Sequence, residues 1–203
     1  LLCYLMFFYV VVPCYNIDKG CDYMKPVTNQ FDEILVNRHS IRKYKPYEMD
    51  DDTIRAIFEM ALKAPSAKNF QPWTFRIIKT KAAKDKYSHL FVGNRTQYET
   101  ASVMVILFTD TRYGSRAQDV YDKAVLNNLM TPENREKQLL NLKNLHPSAE
   151  DILKQGILNV GLIAMNLMLV ARHYGFDTCP IAGFEKALAP AAFGLDHHEA
   201  VLA

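Results

Sequence analysis

Apolar positions follow a helical period in two parts of the chain. Between residues 54 and 62, isoleucine, phenylalanine, alanine and leucine recur at intervals of three and four, the spacing that lines one face of an α-helix. The aspartates at 50–52 precede this stretch as helix-start residues, and Pro65 follows it as a helix terminator. A shorter stretch of the same kind, 31–35, predicts a small amphipathic helix directly before Arg38.

The strongest helical pattern spans residues 149–175 and is apolar on nearly every side in its second half. Only Asn159 and Asn166 interrupt the apolar run there. A helix of this kind is buried on all sides, so we expect a core helix that is shared with a partner subunit. Gly161 and Ala164 are small enough to let a second helix approach closely.

Runs of β-branched and aromatic residues predict the strands. Residues 73–78 and 199–203 predict strands, and the run at 102–108 is apolar enough for a central strand buried on both faces. Residues 176–185 predict a short strand and a glycine turn before another short helix, while 117–145 predict polar-surfaced helices outside the core. Few strands in mixed order with many helices favour an α+β fold, with helices on both sides of a modest sheet.

Composition and charge exclude several classes of function. A net charge of +2 over 203 residues creates no field that would attract nucleic acid. The four cysteines form no C-x-x-C pair, and Cys179 is the one outside the first 21 residues, so the body of the chain is expected to be reduced and cytoplasmic. No metal-ligand spacing or Rossmann glycine motif is present, and the adjacent His197 and His198 are expected on the surface. Lys154 and Arg172 bracket fewer than the ~20 residues that a membrane-spanning helix needs.

The two ends of the chain differ from its body. Residues 1–23 begin with a charge-free apolar run and are expected to be a leader or a non-native extension, with Met24 as the natural start. No linker divides the rest, so residues 24–203 are predicted to form one domain. The final strand pattern stops without a cap or turn, which predicts a truncation at the C-terminus.

Three polar segments carry candidate chemistry. RHSIR at 38–42 combines two arginines with a hydroxyl and an imidazole, and such donors suit a phosphate. APSAKNFQPW at 64–73 presents hydroxyl and amide groups on a loop stiffened by prolines, which suits a polar heterocycle. PIAGFE at 180–185 places a glycine where backbone N–H groups can approach a flat ligand. Each segment alone is also explained by a solvated turn or a capped helix end.

Together these segments resemble the FMN-dependent nitroreductase family. RHSIRKY, APSAKNFQPW, FVGNRTQYETASVMVILF and GFDTCPIAGFE come in the family's order and spacing, over about residues 25–203. The resemblance implies a sandwich with a central, mostly antiparallel sheet flanked by helices, in an intertwined homodimer with FMN at the subunit interface. It also implies NADH or NADPH as the electron donor and a small-molecule electron acceptor.

The resemblance assigns roles to residues at one end of the flavin and beside its ring. Arg38 and Ser40 would hold the FMN phosphate, and His39 would line that segment. Arg42 would stabilise the negative charge that reduction places on the ring edge, and Asn94 would hydrogen-bond the pyrimidine side. Relatives supply further basic residues after the last strand, so we expect this chain to bind FMN more weakly than a longer form.

Further residues would line the ring. One group would approach the ring from the other subunit. A second group would lie along the ring, with a backbone N–H near flavin N5. The role of Gln97 is less defined. The first group is Pro65, Ser66 and Asn69, and the second is Ile181, Ala182 and Gly183. Ala182 stands where relatives carry a glutamate, which bears on substrate preference.

The implied reaction needs no protein acid or base of unusual pKa. Hydride would pass from NAD(P)H to the flavin, and two electrons would then pass to a nitroaromatic, a quinone or a related conjugated electrophile in ping-pong order. A dihydropteridine or enone reductase of the same superfamily is the alternative enzyme, and a flavin-binding scaffold without turnover is the alternative of another class. Residues 112–148 would form the lid that selects the oxidant.

Overall fold

The computed structural model describes residues 30–203, and its architecture is α+β, as predicted. One antiparallel sheet has the strand order β1-β2-β3, in which β1 is Trp73–Ile78, β2 is Met104–Asp110 and β3 is His198–Leu202. The helices of the described residues are α1 Gln30–Asn37, α2 Asp51–Ala61, α3 Lys81–Tyr87, α4 Arg95–Thr100, α5 Ala117–Leu126, α6 Pro132–Lys143, α7 Ala149–His173 and α8 Ala189–Ala192. The expectations for residues 1–23 lie outside the described residues.

The central strand is β2, and it is buried along almost its whole length. This confirms the prediction from its continuous apolar run, although the strand begins two residues later than the pattern indicated. On one face of the sheet, Ile106 and Phe108 pack with Phe91 in a core without solvent access. On the other face, Leu107 packs against Val160 of α7. The alternation along one strand therefore separates two apolar layers.

Helix α2 begins and ends where the sequence indicated. The Asp50 carboxylate accepts the backbone N–H of Thr53 at 2.7 Å, which satisfies one of the free donors at the start of the helix. The helix ends at Ala61, ahead of Pro65. The side-chain amide of Asn166 in α7 donates to the carbonyl of Ala61 at 2.7 Å, so the end of α2 is fixed to the long helix.

Helix α7 is buried on one face within the single chain. Val160 and Ile163 are fully buried against the sheet, but Leu158 is 62% exposed and Leu162 is 43% exposed. The sheet covers only one face of the helix, and burial of the other face by a partner subunit stays a prediction. By length and composition α7 is also apolar enough to cross a membrane, a property it shares with core helices.

Two expectations were wrong. Residues 176–185 form no regular strand, because their pairing is limited to a parallel bridge between Thr178 and Ser40 and a reciprocal backbone pair between Ile181 and Ala203. His198 is half-buried rather than on the surface, since its Nε2 lies 3.0 Å from Thr74 Oγ1 across the sheet. Burial holds the pKa of His198 below its usual value.

The polar helices predicted outside the core are α5 and α6. They pack on each other around a third apolar cluster that contains Phe70, Ala117 and Tyr121. This cluster joins the helical pair to the loop that precedes β1, because Phe70 belongs to that loop. Helices α5 and α6 are thus attached to the loop at 64–73, which is one of the three candidate segments.

Candidate functional site

The basic segment 38–42 follows α1 and is fixed to the chain after α7. Ser40 forms an isolated parallel bridge with Thr178, and the backbone N–H of Ile41 donates to the Thr178 carbonyl at 3.2 Å. Arg38 is half-buried and Arg42 is exposed. Two arginines and a hydroxyl are therefore held beside the stretch that leads to the glycine turn.

That same stretch ends in a second polar cluster. The side-chain amide of Asn94 donates to the Gly183 carbonyl at 2.5 Å, and the Gln97 amide donates to Asn94 Oδ1 at 3.2 Å. Asn94 closes a short 3₁₀ stretch, Ser88–Asn94, and Gln97 lies one turn into α4. The Asn94 amide thus contacts the turn that the sequence marked as a candidate for a flat ligand, and the Gln97 amide holds Asn94.

The glycine turn at 182–183 is exposed to solvent. Ala182 and Gly183 are exposed, whereas Ile181 is 4% exposed and pairs with Ala203 at the end of β3. A Cβ added to Gly183 would lie 3.8 Å from Asn94 Nδ2, so the glycine keeps the space beside that amide clear. Thr178 contacts the basic segment and Gly183 contacts Asn94. Five extended residues span at most about 17 Å, so the arginines and the amides lie within the reach of one elongated ligand.

The loop at 64–73 belongs to a different part of the chain. Ser66 Oγ accepts the backbone N–H of Gln71 at 2.9 Å, and the buried Asn159 of α7 accepts the backbone N–H of Ala67 at 3.0 Å. The described hydrogen bonds tie the loop to α7 and α5 rather than to Asn94 or Gly183. Pro65 and Asn69 are exposed on it. The structure therefore brings nine of the predicted residues to one stretch of backbone and leaves Pro65, Ser66 and Asn69 apart.

Sequence reasoning missed the role of the asparagines inside α7. Asn159 holds the 64–73 loop, and Asn166 holds the end of α2. Asn159 gives the backbone N–H of Ala67 its acceptor, and leaving a buried donor unpaired costs about 1–3 kcal/mol. Asn166 adds a second donor to the Ala61 carbonyl, which also accepts the backbone N–H of Ala64 at 3.0 Å. The available signal was an amide in an otherwise apolar helix, a pattern that indicates a specific partner.

Tyr44 lies two residues after the basic segment and is half-buried. Burial, reinforced by the nearby Cys179 and Asp177, raises the pKa of Tyr44 to about 12. Asp177 also forms an ion pair with Arg172 at 2.7 Å. The Tyr44 hydroxyl therefore remains a neutral donor next to the segment.

The open groove beside α4 does not include the predicted residues. It has a volume of about 1340 Å³ and is lined by residues such as Tyr44, Met49 and Tyr98, but by none of the predicted cofactor residues. Within residues 30–203, no group of three or more metal-ligating side chains comes together. The candidate site is an open surface formed by the basic segment, the two amides and the glycine turn.

The chain is similar to known proteins over most of its length. The profile of the Nitroreductase family matches residues 35–203. The protein named "Putative NAD(P)H nitroreductase YdgI" of Bacillus subtilis is 36% identical over 172 residues, which cover 83% of this chain and 82% of the relative. The CLA biosynthesis enone reductase of Lactiplantibacillus plantarum is 31% identical over 176 residues, which cover 84% of this chain and 80% of the relative.

A solved structure agrees with the sequence comparison. A protein of Exiguobacterium sibiricum that was crystallised in complex with FMN is 33% identical, covers 88% of each chain and superposes with a TM-score of 0.81. The similarity in sequence and the similarity in fold therefore point to the same family. The chain belongs to the nitroreductase family.

Proposed function

We propose that this chain is an FMN-dependent NAD(P)H oxidoreductase that reduces nitroaromatics, quinones or related conjugated electrophiles by two electrons. Membership of the family supports the coarser statement, an oxidoreductase that uses FMN and NAD(P)H. The proposal about the acceptors is supported by the stretch 176–183. This stretch is hydrogen-bonded to the basic segment at Thr178 and to the Asn94 amide at Gly183.

The donor set fits FMN. A phosphate calls for cations and hydroxyl donors, which Arg38 and Ser40 supply with His39 on the same segment. A flavin ring calls for a flat, small-residue surface with polar groups at its edge. Gly183 has no Cβ to fill the space beside Asn94, and Arg42 adds a cation.

Further proposed contacts complete the ring site. Gln97 orients Asn94 by donating to its Oδ1. Ile181 is buried and fixes the exposed Ala182 at the turn, so both would lie along the ring with Gly183. These residues present donors and apolar surface, and none of them needs to exchange a proton.

Bound FMN would supply the hydride chemistry, accepting two electrons from NAD(P)H and passing them to the acceptor. For a nitro compound the sum is R–NO2 + NAD(P)H + H⁺ → R–NO + NAD(P)⁺ + H2O. The guanidinium of Arg42 stabilises negative charge at the ring edge, while Asn94 orients the ring. The donor and the acceptor would react with the bound flavin one after the other, which would give ping-pong kinetics.

The proposed active form is a homodimer. The face of α7 that the sheet leaves open carries Ile157, Leu158, Leu162 and Met165, each more than 40% exposed, and exposed apolar patches mark interfaces. A Cβ on Gly161 would meet nothing within 4 Å in the described chain, which leaves room for a second helix. A partner here supports the assignment of Pro65, Ser66 and Asn69 to the other subunit's flavin.

The proposed function is tested on purified protein by its absorbance spectrum and by oxidation of NADH and NADPH. We expect a yellow protein that consumes the nucleotide when a nitroaromatic or a quinone is added. Arg42→Met should lower turnover, while Lys81→Met, which changes an exposed lysine on α3, should not. A protein that takes up no FMN, or that holds FMN without turnover, would contradict the proposal.

An enone reductase is the second candidate. The relative from Lactiplantibacillus plantarum carries that name and is 31% identical, and Ala182 leaves no charge beside the ring that would repel an extended acceptor. Comparing kcat/KM for matched enones and nitroaromatics decides between the two. A preference for enones by more than tenfold would favour the second candidate.

A further inference from the structure

Lys68 lies on the 64–73 loop in a backbone conformation that side chains seldom adopt. Its φ is 51° and its ψ is 20°, and Asn69 and Gln71 also have positive φ. A left-handed lysine costs about 1–2 kcal/mol, so the surroundings must impose it. Ser66 and Asn159 fix the loop from within, as their bonds to the backbone N–H groups of Gln71 and Ala67 show.

The imposed conformation sets the ammonium of Lys68 against an aromatic wall. Its Nζ lies 6.0 Å from the centre of the Phe70 ring and 5.8 Å from that of Tyr113. Phe70 is buried and packs edge-on against Tyr113 at 5.8 Å. Burial raises the pKa of the neighbouring Tyr121, and the charge of Lys68 works against that rise, so the cation is close to all three rings.

The charge of Lys68 is available for a ligand. None of the ion pairs among residues 30–203 includes it. The neighbouring cations are engaged differently, because Arg112 pairs with Asp110 at 2.8 Å and Arg116 donates to the Gln71 carbonyl at 3.0 Å. An anion that lies against the wall would lose part of its water, which strengthens its attraction to the ammonium.

We propose that Lys68 is a specificity residue that binds the carboxylate of acidic aromatic or conjugated electron acceptors. Ser66 and Asn69 flank it in sequence, and both belong to the proposed flavin site, so the inference rests on the proposed function. Rings of the acceptor pack beside Phe70 and Tyr113 while the carboxylate meets the ammonium. One lysine matches a monoanion better than the dianionic phosphate of NADPH, which calls for several cations.

Matched ligands test the carboxylate directly. The dissociation constants of 4-nitrobenzoate and of neutral 4-nitrobenzamide are measured by calorimetry on the FMN-loaded protein and its Lys68→Met, Lys68→Arg and Lys63→Met variants. Lys63 is an exposed lysine at the end of α2, so its change removes the same charge from a nearby position. We expect Lys68→Met to raise the dissociation constant of 4-nitrobenzoate by about three- to tenfold and that of 4-nitrobenzamide by less than about twofold. Lys68→Arg should retain most of the preference, and Lys63→Met all of it.

The outcomes separate this inference from the proposed function. Equal effects of Lys68→Met on the two ligands, or an equal loss in Lys63→Met, would overturn the role of Lys68. A change in the NADPH-to-NADH ratio of KM, with no change in the acceptor ratio, would assign Lys68 to the donor and also overturn it. Selective binding of 4-nitrobenzoate in a protein that reduces neither nitro compound would support Lys68 and refute the proposed function.

Discussion

At the scale of single residues, Asp110 shows how one carboxylate organises a turn. It is 8% exposed at the end of β2, and its oxygens accept hydrogen bonds from the backbone and guanidinium of Arg112 and from the hydroxyl of Ser115. Burial works to raise the pKa of Asp110, but the bonds from Arg112 and Ser115 outweigh it and hold the pKa below its usual value. The turn that leads into α5 therefore depends on the charged form.

Asp110→Asn tests this dependence. Since the pKa is lower in the folded protein, the stabilisation is fully present above the ordinary carboxyl value of 3.8 and is lost as the pH falls through the lower folded value. At pH 7 we expect a loss of about 1–3 kcal/mol in the free energy of unfolding. Urea titration at pH 7 and at pH 3 measures it, and the difference between the variant and the parent should shrink at the lower pH.

Asp119→Asn is the matched control for that experiment. Asp119 forms an exposed pair with Lys123 at 3.0 Å, one helical turn away on α5. An exposed pair of this kind contributes about 0.5 kcal/mol or less. An equal loss in both variants would mean that the Asp110 network stabilises no more than a surface pair.

At the scale of elements, α7 and β2 approach so closely that only glycine fits between them. A Cβ on Gly156 would overlap the Thr109 hydroxyl and lie 2.9 Å from both Thr109 Cβ and Cγ2. Thr109 is buried in the central strand and cannot turn away. The close approach of α7 to the sheet therefore depends on the absence of a side chain at Gly156.

Gly156→Ala should destabilise the protein although alanine favours helices. The helical preference of alanine over glycine is worth about 1 kcal/mol, whereas overpacking a core costs about 1–3 kcal/mol. We expect a net loss in thermal melting, with partial recovery in the double variant Gly156→Ala, Thr109→Ala, which removes the hydroxyl and Cγ2. A single variant at least as stable as the parent would show that the helix can move away without cost.

Elements also show the limits of local patterns. The bounds of α2 and β1 follow from period, cap and residue type, so the sequence predicts them. The pattern at 176–185 does not specify a strand, because its pairing partners lie elsewhere in the chain. Thr178 pairs with Ser40, more than a hundred residues earlier, and Ile181 pairs with Ala203 at the end of β3. Such long-range pairing is a tertiary property, which no local window contains.

At the scale of the whole molecule, the open face of α7 predicts assembly. Leu158→Lys places a charge where a second α7 would pack, and a buried unpaired charge costs several kcal/mol. We expect the parent to have twice the chain mass of 23.3 kDa by light scattering and the variant to shift towards a single chain. FMN content should fall with it, because Ser66 and Asn69 are assigned to the other subunit's flavin.

Leu126→Lys is the control for assembly. Leu126 is 80% exposed at the end of α5, away from the α7 face, so its replacement should leave the mass unchanged. A monomeric parent that still retains FMN would contradict the dimer. The extent of a single domain over 24–203 and the cytoplasmic location stay predictions from composition.

By itself the sequence determined the fold class, the central strand and the family, because periodicity, caps and motif order are local properties written along the chain. It also placed Arg38, Ser40 and Arg42 among the candidates for an anion. Only the tertiary structure decided that RHSIR bonds to Thr178, that Asn94 meets Gly183 and that Asn159 holds the loop of Lys68. Each of these contacts joins residues dozens or more positions apart, and their geometry depends on how the sheet and α7 pack.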